Sequence, residues 1–260
     1  MALVEVLRRE GARWAGRSVD LLFPPRCGLC LVDLPCTDSP PRAAGGRCGF
    51  CGACAAGLAA DVDRCRRCGE AAAGEPPLCR RCRTGWRDWD GIAVLASYGD
   101  GVRGQVLRAK RPAGESVAAA LAGLLVAKHR ETFTVWRIDA VVPVPMHWRR
   151  RLARGTSAAD LLAAGIARRL GLPRRHLLRR RRATPMQNEL PFDDRRGNVR
   201  GAFVASRRAA GRRVLLVDDV TTTGATLAEC RRALVEAGAS AVYAAVVARA
   251  DRGGVEGGRP

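Results

Sequence analysis

The chain has 260 residues, 47% of them apolar, enough for one ordinary core and a small companion domain and too apolar for a disordered or fibrous class. No run reaches the roughly eighteen apolar residues that a membrane-spanning helix needs. A formal net charge of +20 suits nucleic acid, but only Lys110 and Lys128 among the basic residues are not arginine and aromatic residues are just 5%, so charge alone does not decide the partner.

Residues 1–25 read as an amphipathic helix: Glu5, Arg8, Arg9 and Glu10 interrupt its apolar positions, and Pro24 and Pro25 end it. The same charges break any secretory core, so a cytoplasmic location is expected. This helix is expected to pack on the body of the protein, with a membrane or partner contact as the alternative.

Cysteine dominates the segment after Pro25. Ten of the eleven cysteines lie between positions 27 and 82, eight of them as CxxC pairs: Cys27/Cys30, Cys51/Cys54, Cys65/Cys68 and Cys79/Cys82. Each such turn aims two thiolates at one ion, so four turns make two tetrahedral sites for structural zinc (Zn2+). Residues 26–88 are therefore expected to form a cysteine-rich, zinc-binding domain whose folding energy comes from the metal, because so short a loop-rich segment has little core of its own. Disulfides would need an oxidising compartment. Cys48 stands three residues before Cys51 and Cys36 is unpaired nearby, so either is an alternative ligand, and spacing leaves open whether the turns pair in sequence or interleave. Cys230, alone in a helical stretch, reads as a small buried hydrophobe.

From residue 89 to 250 the pattern becomes an alternation of strands and helices, the signature of an α/β parallel sheet. IAVLASY is a strand, GVRGQVLRAKR and SVAAALAGLLVAKH are helical, AVVPVP at 140–145 is a second strand, and SAADLLAAGIARRLG is another helix. MHWRRRLARG after the second strand carries Arg149, Arg150, Arg151 and Arg154, while Arg179–Arg182 reads as a solvated connector and QNELPFDDRRGNVRGAF as a mobile loop. His129, His147 and His176 are isolated, and only His147 sits where phosphate would reach it. Residues 251–260 are expected to form a disordered tail.

The most specific stretch comes last. Val214, Leu215, Leu216 and Val217 form a continuous apolar run suited to a central parallel strand, and such strands end where ligands collect. Asp218 and Asp219 fall at that end, placed to accept hydrogen bonds from neighbouring ribose hydroxyls. Thr221, Thr222, Thr223, Gly224, Ala225 and Thr226 then lead into a helix whose first N–H groups, with the threonine hydroxyls, suit a phosphate. A Walker B acid pair would need a P-loop, and no GxxxxGK[ST] occurs.

This segment resembles the PRPP-binding motif of type I phosphoribosyltransferases. The resemblance implies that Asp218 and Asp219 bind the ribose hydroxyls of PRPP or ribose 5-phosphate, that residues 221–226 bind its 5-phosphate, and that Mg2+ accompanies the diphosphate. The cysteine front, LRAKR, VVPVPMHWRRRLARG, QNELPFDDRRGNVRGAF and VLLVDDVTTTGATL, in that order, are similar to the ComF family of competence-associated, phosphoribosyltransferase-like proteins. By that similarity Lys110 is a basic residue of the site, the 143–154 segment with Arg149, Arg150 and Arg154 is the pyrophosphate loop, and Asn198, Arg200 and Gly201 end a flexible lid. It also implies association with DNA uptake, through competence-machinery proteins or single-stranded DNA. The alternative is an active purine or pyrimidine phosphoribosyltransferase of nucleotide salvage. The chain departs from the family's R-G-F-N-Q after the basic loop, where Arg154 and Gly155 are followed by Thr156, Ser157 and Ala158.

Overall fold

The computed structural model describes residues 26–34, 48–60, 62–71, 78–83, 89–146, 157–181 and 199–251. The expected amphipathic start, the basic loop with Arg149, Arg150 and Arg154, His147, Cys36 and most of the lid lie outside them.

The cysteine-rich front holds two short strands, β1 (Arg26–Cys27) and β2 (Cys48–Gly49), and two short helices, α1 (Gly52–Leu58) and α2 (Arg80–Arg83). Then come β3 (Gly91–Ser97), α3 (Asp100–Ala109), α4 (Glu115–Lys128), α5 (Arg130–Trp136) and β4 (Ala140–Pro143). The remainder is α6 (Ala158–Leu170), β5 (Leu178–Arg180), β6 (Phe203–Ala205), β7 (Arg213–Thr221), α7 (Ala225–Glu236) and β8 (Ala241–Arg249).

β3, β8, β7 and β4 lie side by side in that order, all parallel, as the alternation of elements predicts. Both faces are covered, so the central strands are apolar on consecutive residues rather than alternate ones. Leu215 and Val217 of β7 enter a core built with α3, α4 and α6, whereas Val214 and Leu216 enter a second core with α7 and the β5–β6 pair. Val214 through Val217 have no exposed surface.

β4 accommodates two prolines for a reason visible in its hydrogen bonding. The Val144 amide donates to the Val217 carbonyl at 2.9 Å, so the alternate nitrogens of this strand, those of residues 141, 143 and 145, point to the outer edge. Val141 uses its outward N–H to reach the Pro173 carbonyl at 3.0 Å; Pro143 and Pro145 have none to use, which is why proline is tolerated there. The ladder with β7 ends at the Pro143–Val217 pair, whereas β7 remains paired with β8 as far as Thr221 opposite Arg249. Among the described residues, 218–221 thus project beyond β4 with no strand paired on that flank.

Three elements differ from the sequence expectation. Arg179 and Arg180, expected in a solvated connector, belong to a strand, β5, paired antiparallel with β6 and anchored in the second core by Leu178 and Phe203, while Arg179 and Arg181 stay exposed to solvent. The helix read through Lys128 is followed by a separate α5, the two meeting at His129, whose ring Nε2 lies 2.9 Å from the Val94 carbonyl. Asp251, placed with the tail by sequence, is tied to Ser97 Oγ at 2.6 Å and to the Ala71 amide at 3.0 Å.

The cysteine front covers the free edge of β3. The Arg66 carbonyl takes the Ile92 amide at 3.2 Å, and Lys128 Nζ ties the Ala59 and Ala60 carbonyls, at 2.9 and 3.2 Å, to that of Leu95 at 3.2 Å. An unpaired sheet edge is a template for association with other chains, and here it is occupied.

α4 and α6 approach closely through small residues. A Cβ at Gly165 would stand 2.8 Å from Ala122 Cβ. Gly165→Leu is therefore expected to force the two helices apart and lower stability by about 1–3 kcal/mol, read as a reduced urea midpoint.

Candidate functional site

Two groups of four cysteines converge as the spacing predicts. The sulfurs of Cys27, Cys30, Cys51 and Cys54 lie within 4.8 Å of one another, as do those of Cys65, Cys68, Cys79 and Cys82, so the turns pair in sequence. Cys30 and Cys51 sulfurs are 3.7 Å apart, and those of Cys68 and Cys79 3.6 Å. A disulfide would need about 2.0 Å. Four sulfurs on a tetrahedral ion at about 2.3 Å would stand about 3.8 Å apart, so both sets fit a metal. Backbone amides aim at sulfur as well: Leu29 and Cys51 donate to Cys27 Sγ at 3.5 and 3.4 Å.

The thiols within each set titrate unequally. Burial works against ionising Cys27, but the amides of Cys30, Cys51 and Leu29 outweigh it and bring its thiol down to about 6. Cys65 reaches about 7 in the same way, helped by the amides of Cys79, Cys68 and Arg67. The neighbours shift the other way: a hydrogen bond from Cys51 and burial push Cys54 up to about 12, and burial with the Cys65 charge helps hold Cys68 near 11. Burial also raises Cys82, further than either. Four sulfurs so close ionise together only around a cation. Cys48 contributes to the β2 backbone beside this site.

The second site is built where β7 outruns β4. Asp219 Oδ2 lies 2.7 Å from Nζ of Lys110, the residue capping α3, so the structure joins two site residues 109 positions apart in sequence. Asp218 Oδ1 accepts the Asp219 amide at 2.9 Å, and Asp219 Oδ1 the Val220 amide at 2.8 Å. The two carboxylates lie close enough to interact with each other, and Asp218 also senses Lys110. Asp219 faces the α3 side, and Asp218 lies toward the buried Cys230 of α7, where burial and then the Asp219 charge hold its carboxyl well above the usual range.

After the acids the chain turns sharply. Thr221 and Thr223 are buried, Thr222 and Thr226 half-buried, and Gly224 takes a left-handed φ of 70° to start α7. Thr223 Oγ1 accepts the Ala225 amide at 3.2 Å, so this hydroxyl braces the turn. Gly201, at the end of the expected lid, is pinned to the same helix by its amide on Glu229 Oε1 at 2.5 Å. Burial opposes the Glu229 charge, but Arg232 and the Gly201 amide outweigh it and keep its carboxyl below the ordinary value. Arg200 beside it is exposed.

A model of the phosphoribosyl transferase domain matches residues 156–256. DNA utilization protein YhgH of Escherichia coli K12 is 31% identical over 226 residues, covering 85% of this chain and 96% of that one. Competence protein F of Haemophilus influenzae is 31% identical over 179 residues, covering 66% of this chain and 78% of its own. The chain belongs to the ComF family. Among solved structures, a glutamine PRPP amidotransferase from B. subtilis aligns at 26% identity over 51% of this chain and 27% of that one, with a TM-score of 0.35.

Within this ComF-family chain, the structure brings the sequence-expected Lys110 to Asp219 and gathers the expected cysteines into two sets, whereas sequence reasoning missed Glu229, which holds the Gly201 amide. The legible signal was a glutamate one residue before Cys230 on the buried face of a helix, where a charge needs a partner. It also missed Glu70, Arg249 and Asp251, charged residues at the margins of apolar strands and cysteine turns.

Asp218 gives the site a pH signature. Its folded value is raised, so the native state binds a proton the unfolded chain has released, and stability falls as pH rises from about 4 through the raised value. Asp218→Asn is expected to flatten that fall and to raise the melting temperature above pH 7 while changing it little near pH 4, in thermal scans of the ligand-free protein.

Proposed function

We propose that this ComF-family protein binds PRPP or ribose 5-phosphate at the C-terminal end of β7, and that it serves DNA uptake. One observation carries the ligand assignment: β7 extends past β4 so that Asp218 and Asp219 open beside the start of α7. The match to a phosphoribosyl transferase domain supports the ligand class, and relatives named for DNA utilization and competence support the role.

In this reading Asp219 and Asp218 take the ribose hydroxyls, and the 221–226 turn takes the 5-phosphate by its amides and by Thr222 and Thr226. Lys110 is freed from Asp219 when a hydroxyl replaces it, and then faces the anomeric substituent. Arg149, Arg150, Arg154 and Arg200 supply further cations for the diphosphate, and the 187–201 lid excludes water. Magnesium fits this donor set, since it binds through one or two carboxylates plus substrate oxygens and would neutralise the diphosphate. Zinc fits the two cysteine sets, each with four sulfurs and a supporting shell of amides. Cytoplasmic single-stranded DNA and competence proteins are the macromolecular partners. Among the described residues no helix is long and apolar enough to cross a membrane.

Fresh protein is expected to contain two zinc ions per chain by elemental analysis; fewer than one would sink the metal assignment. Calorimetric titration with ribose 5-phosphate, and with PRPP plus Mg2+, should show one site, and Asp219→Asn should weaken it by about tenfold or more, the scale of losing about 1.4 kcal/mol. Absence of both ligands from the wild-type site would overturn the reading. Pyrophosphate release that depends on an added purine or pyrimidine base would make the protein a transferase, whereas tight binding without release makes the pocket a sensor.

A further inference from the structure

Between the second cysteine set and the phosphate turn lies a group of buried charges that neither site explains. Arg249, the last residue of β8, has a side chain only 4% exposed, and its guanidinium pairs with Glu70, two residues after Cys68. Beside it, Asp251 accepts Arg64 at 3.2 Å, the Ala71 amide at 3.0 Å and Ser97 Oγ at 2.6 Å. Arg64 immediately precedes Cys65, and also donates to the Gly69 carbonyl at 2.8 Å and to Ser97 Oγ at 2.7 Å. Both flanks of the Cys65–Cys68 turn are therefore bonded to the C-terminal ends of β3 and β8.

The same few backbone atoms hold the phosphate turn. Arg249 stands opposite Thr221 in the β7–β8 ladder, the Ala250 amide donates to the Thr221 carbonyl at 2.9 Å, and the Tyr98 amide to the Arg249 carbonyl at 2.7 Å. From Cys68 to the first threonine of the turn the route is short: Glu70, the Arg249 side chain, the 249–250 backbone, Thr221. A guanidinium buried here is stable only while its carboxylates are in place; Asp251 stands 3.8 Å from Arg249 Nε, but the closer partner, Glu70, is placed by the cysteine turn. Among the described residues the first cysteine set has no such direct route. Its bonds run to α3 and α4, from Arg108 to the Gly28 carbonyl and from Lys128 to the Ala59 and Ala60 carbonyls.

We propose that Arg249 is a positioning residue that couples occupancy of the Cys65/Cys68/Cys79/Cys82 site to the shape of the 221–226 turn, so that metal in the second site, and not in the first, sets the affinity for sugar phosphate. The inference rests on the ligand assignment above only for its functional consequence. Because coupling is reciprocal, ribose 5-phosphate bound at the turn strengthens metal binding at the second site by the same free energy.

The test uses the full-length, zinc-loaded protein and reads hydrogen exchange of the 221–226 amides together with ribose 5-phosphate affinity. Arg249→Met is expected to retain two zinc ions per chain yet exchange those amides faster and lose affinity by about fivefold or more, the low end of site-to-site coupling. Cys79→Ser/Cys82→Ser, which leaves one zinc ion per chain, should show the same faster exchange and weaker affinity, and combining it with Arg249→Met should add nothing further to either. Cys30→Ser/Cys54→Ser should leave both readings at wild-type values. Should Arg249→Met fail to fold, judged by circular dichroism, Glu70→Gln carries the same expectation with a neutral isostere. Wild-type exchange at 221–226 in a folded, zinc-loaded Arg249→Met or Glu70→Gln protein overturns the proposal, as does an equal effect from the first cysteine set. Exchange is read without ligand, so a wild-type protein that binds no ribose 5-phosphate defeats the ligand assignment while the coupling stands or falls on the amides alone.

Discussion

The mismatch in length between β7 and β4 is the constraint on which the rest depends. A parallel strand buried on both faces must satisfy every backbone group through its neighbours. β7 does so along its apolar half, between β4 and β8, and then loses β4 at Val217 while keeping β8 to Thr221. Polar side chains are tolerated from Asp218 onward because the strand has an open flank there, and this is also where a ligand can approach its backbone. Had β4 continued, Asp218 and Asp219 would be buried carboxylates between two strands. The prolines at 143 and 145 sit on the outward-facing nitrogens and cost the ladder with β7 nothing.

That geometry explains why two adjacent carboxylates behave so differently. Successive side chains of a strand point to opposite faces. Asp219 therefore meets Lys110 at the end of α3 and keeps a counter-ion, while Asp218 turns toward α7 and Cys230, where burial disfavours its charge. A ligand that brings hydroxyl donors or a cation to this end supplies what each acid lacks.

What was legible in the sequence was local. The VLLV run followed by two acids and a glycine turn specifies strand, strand end and helix start within thirteen residues, and CxxC spacing specifies its own geometry. What was not legible depended on partners distant along the chain. β5 carries only Leu178 to mark it, among arginines, and becomes a strand because β6 lies against it. AVYAAVVAR is apolar enough to be read as strand or helix, and the ladder between β3 and β7 decides for strand. The Lys110–Asp219 pair joins residues far apart along the chain, and nothing in either neighbourhood announces it. Arg249 resembled any of the chain's many arginines until burial singled it out.

The cysteine front answers a problem that the sheet creates. With order β3-β8-β7-β4, β3 is an edge, and α3 and α4 cover a face without closing that edge. A segment of some sixty residues rich in glycine, alanine and arginine has too little apolar area to fold against the edge by burial alone. Four thiolates around an ion fix such a segment without a core. Once fixed, the Cys65–Cys68 turn offers the Arg66 carbonyl to Ile92, lays Gly69 against Val94 too closely for a side chain, and sets Glu70 against Arg249. The cysteine-rich unit is thus part of the sheet's own termination, and the strand ends it secures are the ones from which the 221–226 turn departs.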